Sequence, residues 1–442
     1  MADKKIRVGL VGFGTVGAGV AKIILENSDT IKAKTGIELE LAKVVDLDTT
    51  SPRPVVLPDG MLTADLDSIV GDPTIDIAVE LVGGTTIAKD IQLAMLKAGK
   101  HVITANKALL AKHGPELYKT ARENNVCIAF EASCAGGIPI VSAIRTGLAA
   151  NDISALYGIL NGTCNYILSN MTANGSPFDE VLAAAQEKGY AEADPALDIN
   201  GGDSAHKLAI LASLAFGYDI ALEDISIEGI EDVCIEDINY AQEMGYVLKL
   251  LAIGEKHADG RISLRVHPAF LAKDSALARV DGPFNAVSVF GHAVGQTMYY
   301  GRGAGMMPTA SAVVADIIEV AMGNSQNLFN AQTILPREVT QQNIEPVDNL
   351  TSRFYIRLMV TDMPGTFAKI GNILAEHNTS ISGILQHEAH SEGTAVPVII
   401  TTHPSLQKNV SAVLCDIKKL DIVRDELVCI RIIDIPEDNL ED

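Results

Sequence analysis

The stretch IRVGLVGFGTVGAGVAKII, from Ile6 to Ile24, decides the fold. Ile6–Val11 is a short run rich in β-branched residues, the composition of a strand. Gly12-Phe13-Gly14-Thr15-Val16-Gly17 follows, and Val16, Val20, Ile23 and Ile24 then recur at helical spacing. G-x-G-x-x-G alone is common by chance; between a strand and a helix it reads as a dinucleotide fingerprint. The glycines let the backbone approach a pyrophosphate, and the helix N-terminus faces the anion. Gly12, Phe13, Gly14, Thr15, Val16 and Gly17 are therefore candidate cofactor-binding residues.

Outward from this turn the same rhythm continues. Leu39–Val45 reads as a second strand ending at Asp46, where a carboxylate can hold the adenosine ribose hydroxyls. Asp46 would repel a 2′-phosphate, which Arg53 a few residues on can offset, so the reading leans to NAD or to dual use with NADP. The plainer alternative for Asp46 is a turn residue. Ile75–Val82 is a near-continuous apolar strand closed by Gly83-Gly84; Thr86–Ala98 is helical, and His101–Thr104 is another strand. Strands alternating with helices predict a doubly wound α/β domain with a parallel sheet. In such sheets ligands gather at the carboxyl ends of strands, so Lys107 in Thr104-Ala105-Asn106-Lys107 is placed to reach cofactor or substrate.

Composition bounds the rest. At 442 residues, 48% hydrophobic and 20% charged, the chain can bury large cores and should hold two or three domains. A formal charge of −22 argues against nucleic acid as a partner, because no basic patch can release counterions from phosphate. The six cysteines show no CxxC and no Cys/His metal spacing, and read as reduced residues of a cytoplasmic protein. Met1–Leu25 superficially resembles a signal peptide, but Arg7, Lys22 and five glycines interrupt its apolar run. No other segment approaches about 20 uncharged apolar residues, so no membrane span is expected.

A second stretch carries chemistry. Ala185–Lys207, AQEKGYAEADPALDINGGDSAHK, packs Glu192, Asp194, Asp198 and Asp203 into a turn-rich loop. A helix then opens, marked by Leu208, Leu211, Ala212, Leu214 and Ala215 and stopped by Gly217. Asp203 and Lys207 lie four apart on one face. A lysine near the positive end of a helix is disfavoured, so one held there beside carboxylates reads as a placed proton donor or anion anchor. The bland alternative is a solvated ion pair worth about 0.3–0.5 kcal/mol.

The spacing A-x3-G-[YF]-[STA]-x2-D-P-x2-D-I-x-G-x-D-x3-K in this stretch resembles the signature of homoserine dehydrogenases, with every fixed position filled. Asn161-Gly162-Thr163-Cys164-Asn165-Tyr166 is similar to the family's NGTxNY/F segment, and Thr104–Lys107 to its TANK segment. The resemblance implies reversible, nicotinamide-dependent reduction of L-aspartate 4-semialdehyde to L-homoserine. Within it Lys207 and Lys107, with Asp203, are the catalytic candidates. Glu192 is the candidate for the substrate ammonium, and Asp198 and Asp203 hold the constellation. Gly189 and Gly305, the latter in Gly301-Arg302-Gly303-Ala304-Gly305, are implied as further cofactor contacts.

Val126–Phe130 is a further strand, leading into Glu131-Ala132-Ser133-Cys134-Ala135-Gly136-Gly137-Ile138. A Gly-rich turn there exposes carbonyls that suit a hard cation, and is also an ordinary domain-crossing loop. The resemblance implies a monovalent cation, Na+ or K+, at Glu131 with backbone groups of Cys134, Gly136 and Ile138.

From about Asn151 to Gly301 an α+β substrate and dimerisation domain is expected, with helices at Phe178–Lys188, Ser204–Phe216 and Asp237–Leu250 and strands at Ser154–Leu160, Ile262–Pro268 and Ala286–Phe290. The tail reads strand, helix, two strands, helix, strand between Tyr355 and Ile433, a ferredoxin-like order. Asp362-Met363-Pro364-Gly365 and Asn378-Thr379-Ser380-Ile381 in it resemble an ACT domain. Asp362, Gly365 and Asn378 are then candidate effector contacts, with threonine the expected effector. A passive dimerisation module is the alternative.

The expected division is a Rossmann-like domain over residues 1–135 completed by 303–330, a substrate domain over 136–302, a linker over 331–350 and the ACT-like tail over 351–442. A homodimer or homotetramer is expected because open sheet edges need partners. Two rivals stand beside the enzyme: a catalytically inactive nucleotide and amino-acid sensor, and a dehydrogenase for a related semialdehyde.

Overall fold

β1 (Lys4–Val11), β2 (Ile37–Val45), β3 (Leu62–Thr63), β4 (Ile77–Glu80), β5 (His101–Thr104) and β6 (Ile128–Ala129) form one parallel sheet ordered β3-β2-β1-β4-β5-β6. The computed structural model describes residues 4–331, 337–338, 343–387, 395–425 and 427–436. Parallel neighbours need crossovers, and α1 (Thr15–Thr35), α2 (Asp67–Val70), α3 (Ile87–Lys97) and α4 (Lys107–Glu123) intervene in sequence between the strands. Every residue of β4 is buried, as expected of a strand covered on both faces. Strand order reverses at the β1/β4 pair, so the crevice at their carboxyl ends is the topological switch point. This is the doubly wound fold expected from the alternating rhythm.

The described residues group into two compact units, the first made of Met1–Gly162, Asp203–Ile225 and Phe284–Val339. Beside the parallel sheet it holds the antiparallel strands Ile153–Ile159, Phe284–Gly291 and Gly295–Arg302. The helix Met306–Ala321 returns to pack on α1, where a Cβ on Gly19 would stand 2.8 Å from the Met306 carbonyl oxygen. Only glycine permits that approach.

The second unit is Thr163–Gly202, Ser226–Pro283 and Thr340–Asp442. One sequence expectation fails here. The helix placed over Asp237–Leu250 spans Ile235–Glu243, and Tyr246–Lys256 is a strand paired antiparallel with Ile262–Ala272. Gly245, at φ +84°, breaks the helix. The buried run after it has no period that separates a core strand from a core helix. Lys249, fully buried in that strand, donates from Nζ to the Val280 carbonyl at 2.6 Å and lies 3.2 Å from Asp281.

The tail forms strand Thr351–Thr361, helix Thr366–Glu376, strands Ile381–Leu385 and Ala395–Thr402, helix Gln407–Ile417 and strand Val428–Ile432. Ile356, Leu358, Ile370, Leu374, Ile400 and Val413 are among its core residues. Its sheet is not free-standing: Val428–Ile432 also pairs in parallel with Ile262–Ala272, through Ala269–Arg431 and Phe270–Ile432. Within the same unit Asp237, fully buried, accepts from the Tyr355 hydroxyl at 2.7 Å and from Arg357 Nε and Nη2 at 2.6 and 3.0 Å. Tyr355→Phe is expected to lower unfolding free energy by about 1–2 kcal/mol, measured by urea denaturation, because it strips one donor from a buried carboxylate. Of the linker, Arg337–Glu338 pairs with Tyr218–Asp219, and Val347–Asn349 is a single 3-10 turn; 332–336 and 339–342 lie outside the described residues. No single described helix is long and apolar enough to cross a membrane.

Candidate active site

The helix Gly202–Phe216 carries Asp203 in its first turn and Lys207 one turn later. Leu208, Leu211 and Ala212 bury its apolar face, which fixes the orientation of the polar pair. Lys207 Nζ donates to Asp203 Oδ2 at 2.7 Å and to the Leu160 carbonyl at 2.6 Å. Asn161 Nδ2 donates to the same carboxylate oxygen at 2.8 Å. Lys107 Nζ lies 3.1 Å from Asp203 Oδ1. The side chains of Asp203 and Lys207 are 8% and 11% exposed, so the solvated surface pair is not what forms here. Lys107 is half-buried at the start of α4. Its position follows from Asn106, the helix N-cap, whose Oδ1 accepts from Leu109 N at 3.1 Å.

Burial alone would raise the Asp203 carboxyl. The Lys207 and Lys107 ammonium groups, with hydrogen bonds from Lys207 and Asn161, outweigh that and hold it well below the usual carboxylate range. Two lysine side chains gathered on one buried carboxylate suit an oxygen on which negative charge develops.

Two members were missing from the sequence reading. Asn161 stood in a motif already quoted, and its position before Gly162-Thr163 was the available signal. Asn285, fully buried in the strand Phe284–Gly291, donates from Nδ2 to the Leu160 carbonyl at 2.9 Å and gave no signal. A Cβ on Gly303 would fall 2.1 Å from Asn285 Cγ, which explains one glycine of the Gly301–Gly305 run.

In the fingerprint turn the glycines divide by role. A Cβ on Gly12, at φ +97°, would meet the Leu81 carbonyl at 2.6 Å, and one on Gly17 would meet the Gly12 carbonyl at 2.0 Å. Gly14 has no atom within 4 Å of such a Cβ, so open space for a ligand lies there. The first turn of α1, beginning at Thr15 and Val16, contains no acid, leaving its positive end for an anion. Asp46 Oδ2 accepts from Phe13 N at 2.5 Å and Oδ1 from Asp48 N at 2.9 Å, so it is both a turn residue and a tie to the fingerprint. Arg53 Nε donates to the Phe13 carbonyl at 2.8 Å, and its Nη2 sits 3.1 Å from Asp48 Oδ2. Leu47, 91% exposed beside Asp46, is an apolar neighbour the sequence reading passed over. Gly305, at φ +122°, caps the helix Met306–Ala321, whose first turn also lacks an acid.

Glu131 is buried, and its carboxylate accepts from Val141 N at 2.9 Å, from Ser142 N at 2.8 Å and from the Ser142 hydroxyl. Burial pushes its pKa up despite these donors. Cys134 and Ile138 are buried in the loop that follows; a Cβ on Gly136, at φ +51°, would meet the Gly303 carbonyl at 2.4 Å.

Glu192, Asp198 and Gly189 belong to the second unit. Glu192 is exposed and Asp198 half-buried, its carbonyl accepting from Cys164 Sγ at 3.2 Å. Gly189, at φ +73°, follows the helix Phe178–Glu187. In the tail, exposed Asp362 and Gly365 precede the helix Thr366–Glu376, while exposed Asn378 follows it. That helix, about 16 Å long, keeps Asn378 apart from the other two.

Three family profiles match the chain. They are described as homoserine dehydrogenase (residues 139–318), homoserine dehydrogenase NAD binding domain (12–131) and ACT domain (354–419). A homoserine dehydrogenase of Neisseria gonorrhoeae is 42% identical over 431 residues, covering 97% of this chain and 98% of that one. The crystal structure of a homoserine dehydrogenase from Thiobacillus denitrificans superposes with a TM-score of 0.88 at 42% identity, covering 98% of this chain and 99% of that one. A hyperthermophilic archaeal homoserine dehydrogenase mutant in complex with NADPH superposes at 0.60 with 27% identity over 72% of this chain and 98% of that one. The chain belongs to the homoserine dehydrogenase family, oxidoreductases that reversibly reduce L-aspartate 4-semialdehyde to L-homoserine with a nicotinamide cofactor on the route to threonine and methionine.

Proposed function

We propose that Lys207 transfers the proton at the substrate oxygen, with Asp203 orienting Lys207 and Lys107 around it. The observation that carries this is one buried carboxylate shared by two ammonium groups. When bound, the nicotinamide supplies or takes the hydride. In reduction the two lysines stabilise the growing oxyanion and Lys207 gives it a proton; in oxidation a neutral Lys207 removes the hydroxyl proton. Glu192 receives the substrate ammonium and Asp198 supports the acidic loop around it. The test is homoserine oxidation followed by nicotinamide absorbance, with Lys207 replaced.

NAD is the favoured cofactor, with NADP accepted. Gly12–Gly17, Gly189 and Gly305 offer backbone to its phosphates, Asp46 its carboxylate to the ribose, and Lys107 stands at the nicotinamide side. The Asp46 carboxylate opposes a 2′-phosphate, and the guanidinium of Arg53 close by moderates that. The loop Glu131–Ile138 suits Na+ or K+. The three hydrogen bonds to Glu131 leave about one of its four acceptor positions open. Glu131 and backbone oxygens of Cys134, Gly136 and Ile138 would hold the ion.

Residues 351–442 form the regulatory domain, with threonine bound at Asp362 and Gly365, whose helix N-terminus attracts a carboxylate, and at Asn378 of a second copy. Threonine is expected to slow homoserine oxidation, and Asp362→Ala to need about tenfold more of it, the loss of one charge-assisted contact. Equal inhibition curves would remove Asp362 from the effector site. Self-association fits the edge strand Gly295–Arg302, where Tyr300 is 57% exposed. Cytoplasmic residence accords with six free thiols.

A further inference from the structure

Glu80 is the last residue of β4, at the switch point, and is fully buried. A buried carboxylate needs compensation, and this one takes four hydrogen bonds. Its Oε1 accepts from Val82 N at 2.8 Å and Gly83 N at 3.3 Å. Its Oε2 accepts from Gln92 Nε2 and from the Thr104 hydroxyl, both at 2.8 Å. The chain of contacts does not stop there. Thr104 Oγ1 accepts from Asn106 N at 3.0 Å, and Asn106 Nδ2 donates to the Gly84 carbonyl at 2.7 Å. Asn106 is also the N-cap that starts α4 at Lys107.

Two loops are therefore stapled by one side chain. The first, Leu81–Gly84, lies against the dinucleotide fingerprint: Leu81 N donates to the Val11 carbonyl at 2.8 Å, and a Cβ on Gly12 would strike the Leu81 carbonyl. The second, Ala105–Asn106, delivers Lys107 to Asp203. Gly83 and Gly84 adopt φ of +81° and +72° with open space around them, so this turn has little packing of its own to hold it. Nothing in the known activity requires an acid at Glu80, and the carboxylate is spent on the two loops.

We propose that Glu80 is a positioning residue which, through Thr104, locks the cofactor-facing turn Leu81–Gly84 and the Lys107 loop in one fixed relation. The inference rests on the nucleotide binding at the β1/β4 switch point. Glutamine at this position would turn an NH2 group toward donors, and valine at Thr104 would remove the linking hydroxyl while keeping its shape. Misplacement of order 1 Å at a site of this kind costs up to about a hundredfold in rate.

The test uses Glu80→Gln, Thr104→Val and Thr104→Ser in the full chain, reading NADH and NADPH affinity by fluorescence alongside kcat and KM for homoserine oxidation. Glu80→Gln and Thr104→Val are expected to weaken nucleotide binding and lower kcat by about tenfold each or more, with Thr104→Ser within about twofold of native. Native-like affinity and kcat in folded Thr104→Val would overturn the proposal. So would a fall in Tm and active fraction with affinity and kcat per folded molecule unchanged, which marks a merely structural role. Failure of the native chain to bind either nucleotide would instead overturn the cofactor-site reading on which the proposal rests.

Discussion

Lys207→Ala is expected to lower kcat for homoserine oxidation by about 10²–10⁴-fold, the range for losing a positioned acid–base group. One proton carries both losses: the acceptor at the hydroxyl disappears, and with it the positive charge that Lys207 gains beside the developing oxyanion. Nucleotide affinity should change little, because the fingerprint turn and Asp46 contact none of the deleted atoms. Lys207→Arg should not restore the rate: a guanidinium keeps the charge but does not release its proton at ordinary pH. A residual rate within tenfold of native in the alanine variant would move the proton to Lys107 or to water.

Asp203→Ala is expected to cost about 3–5 kcal/mol of stability as well as activity, since it leaves Lys207 buried without its counter-charge. Urea denaturation at neutral pH measures the first effect and steady-state rates the second. The pH dependence has a definite sign. Because the folded Asp203 carboxyl is held below its unfolded value of about 3.9, its contribution is complete above that value and fades as pH falls toward the folded one. The gap between native and Asp203→Ala should therefore be constant from neutrality to about pH 5 and narrow below it. A gap independent of pH down to acid unfolding would mean that Asp203 is not the stabilised charge described here.

Features encoded by near neighbours in the chain were the legible ones. The strand, glycine turn and helix at Ile6–Ile24 are local, and they led to the parallel sheet. Asp203 and Lys207 were paired because helical geometry puts residues four apart on one face. The tail showed its element order through periodicity and turn residues. What escaped depends on partners distant in sequence. Asn285 reaches Leu160 across 125 positions, and Glu80 looks like one polar interruption in an apolar strand until Thr104, 24 residues on, is beside it. Tyr246–Leu250, the start of the strand Tyr246–Lys256, was misread as helix because a run of consecutive buried residues erases the alternation that marks a strand. The pairing of Val428–Ile432 with Ile262–Ala272 likewise has no local signal. The inactive-sensor alternative loses its ground, since the polar cluster is assembled and the chain matches homoserine dehydrogenases along nearly its whole length.

The most direct test of proton transfer by Lys207 is the pH dependence of kcat/KM for homoserine oxidation, at saturating nucleotide, in the native chain and in Lys207→Ala. The native rate should rise with pH as one group loses its proton, and that limb should vanish in the variant, leaving a low rate that is flat or follows hydroxide. The same rising limb in Lys207→Ala, at the same midpoint, would contradict the assignment.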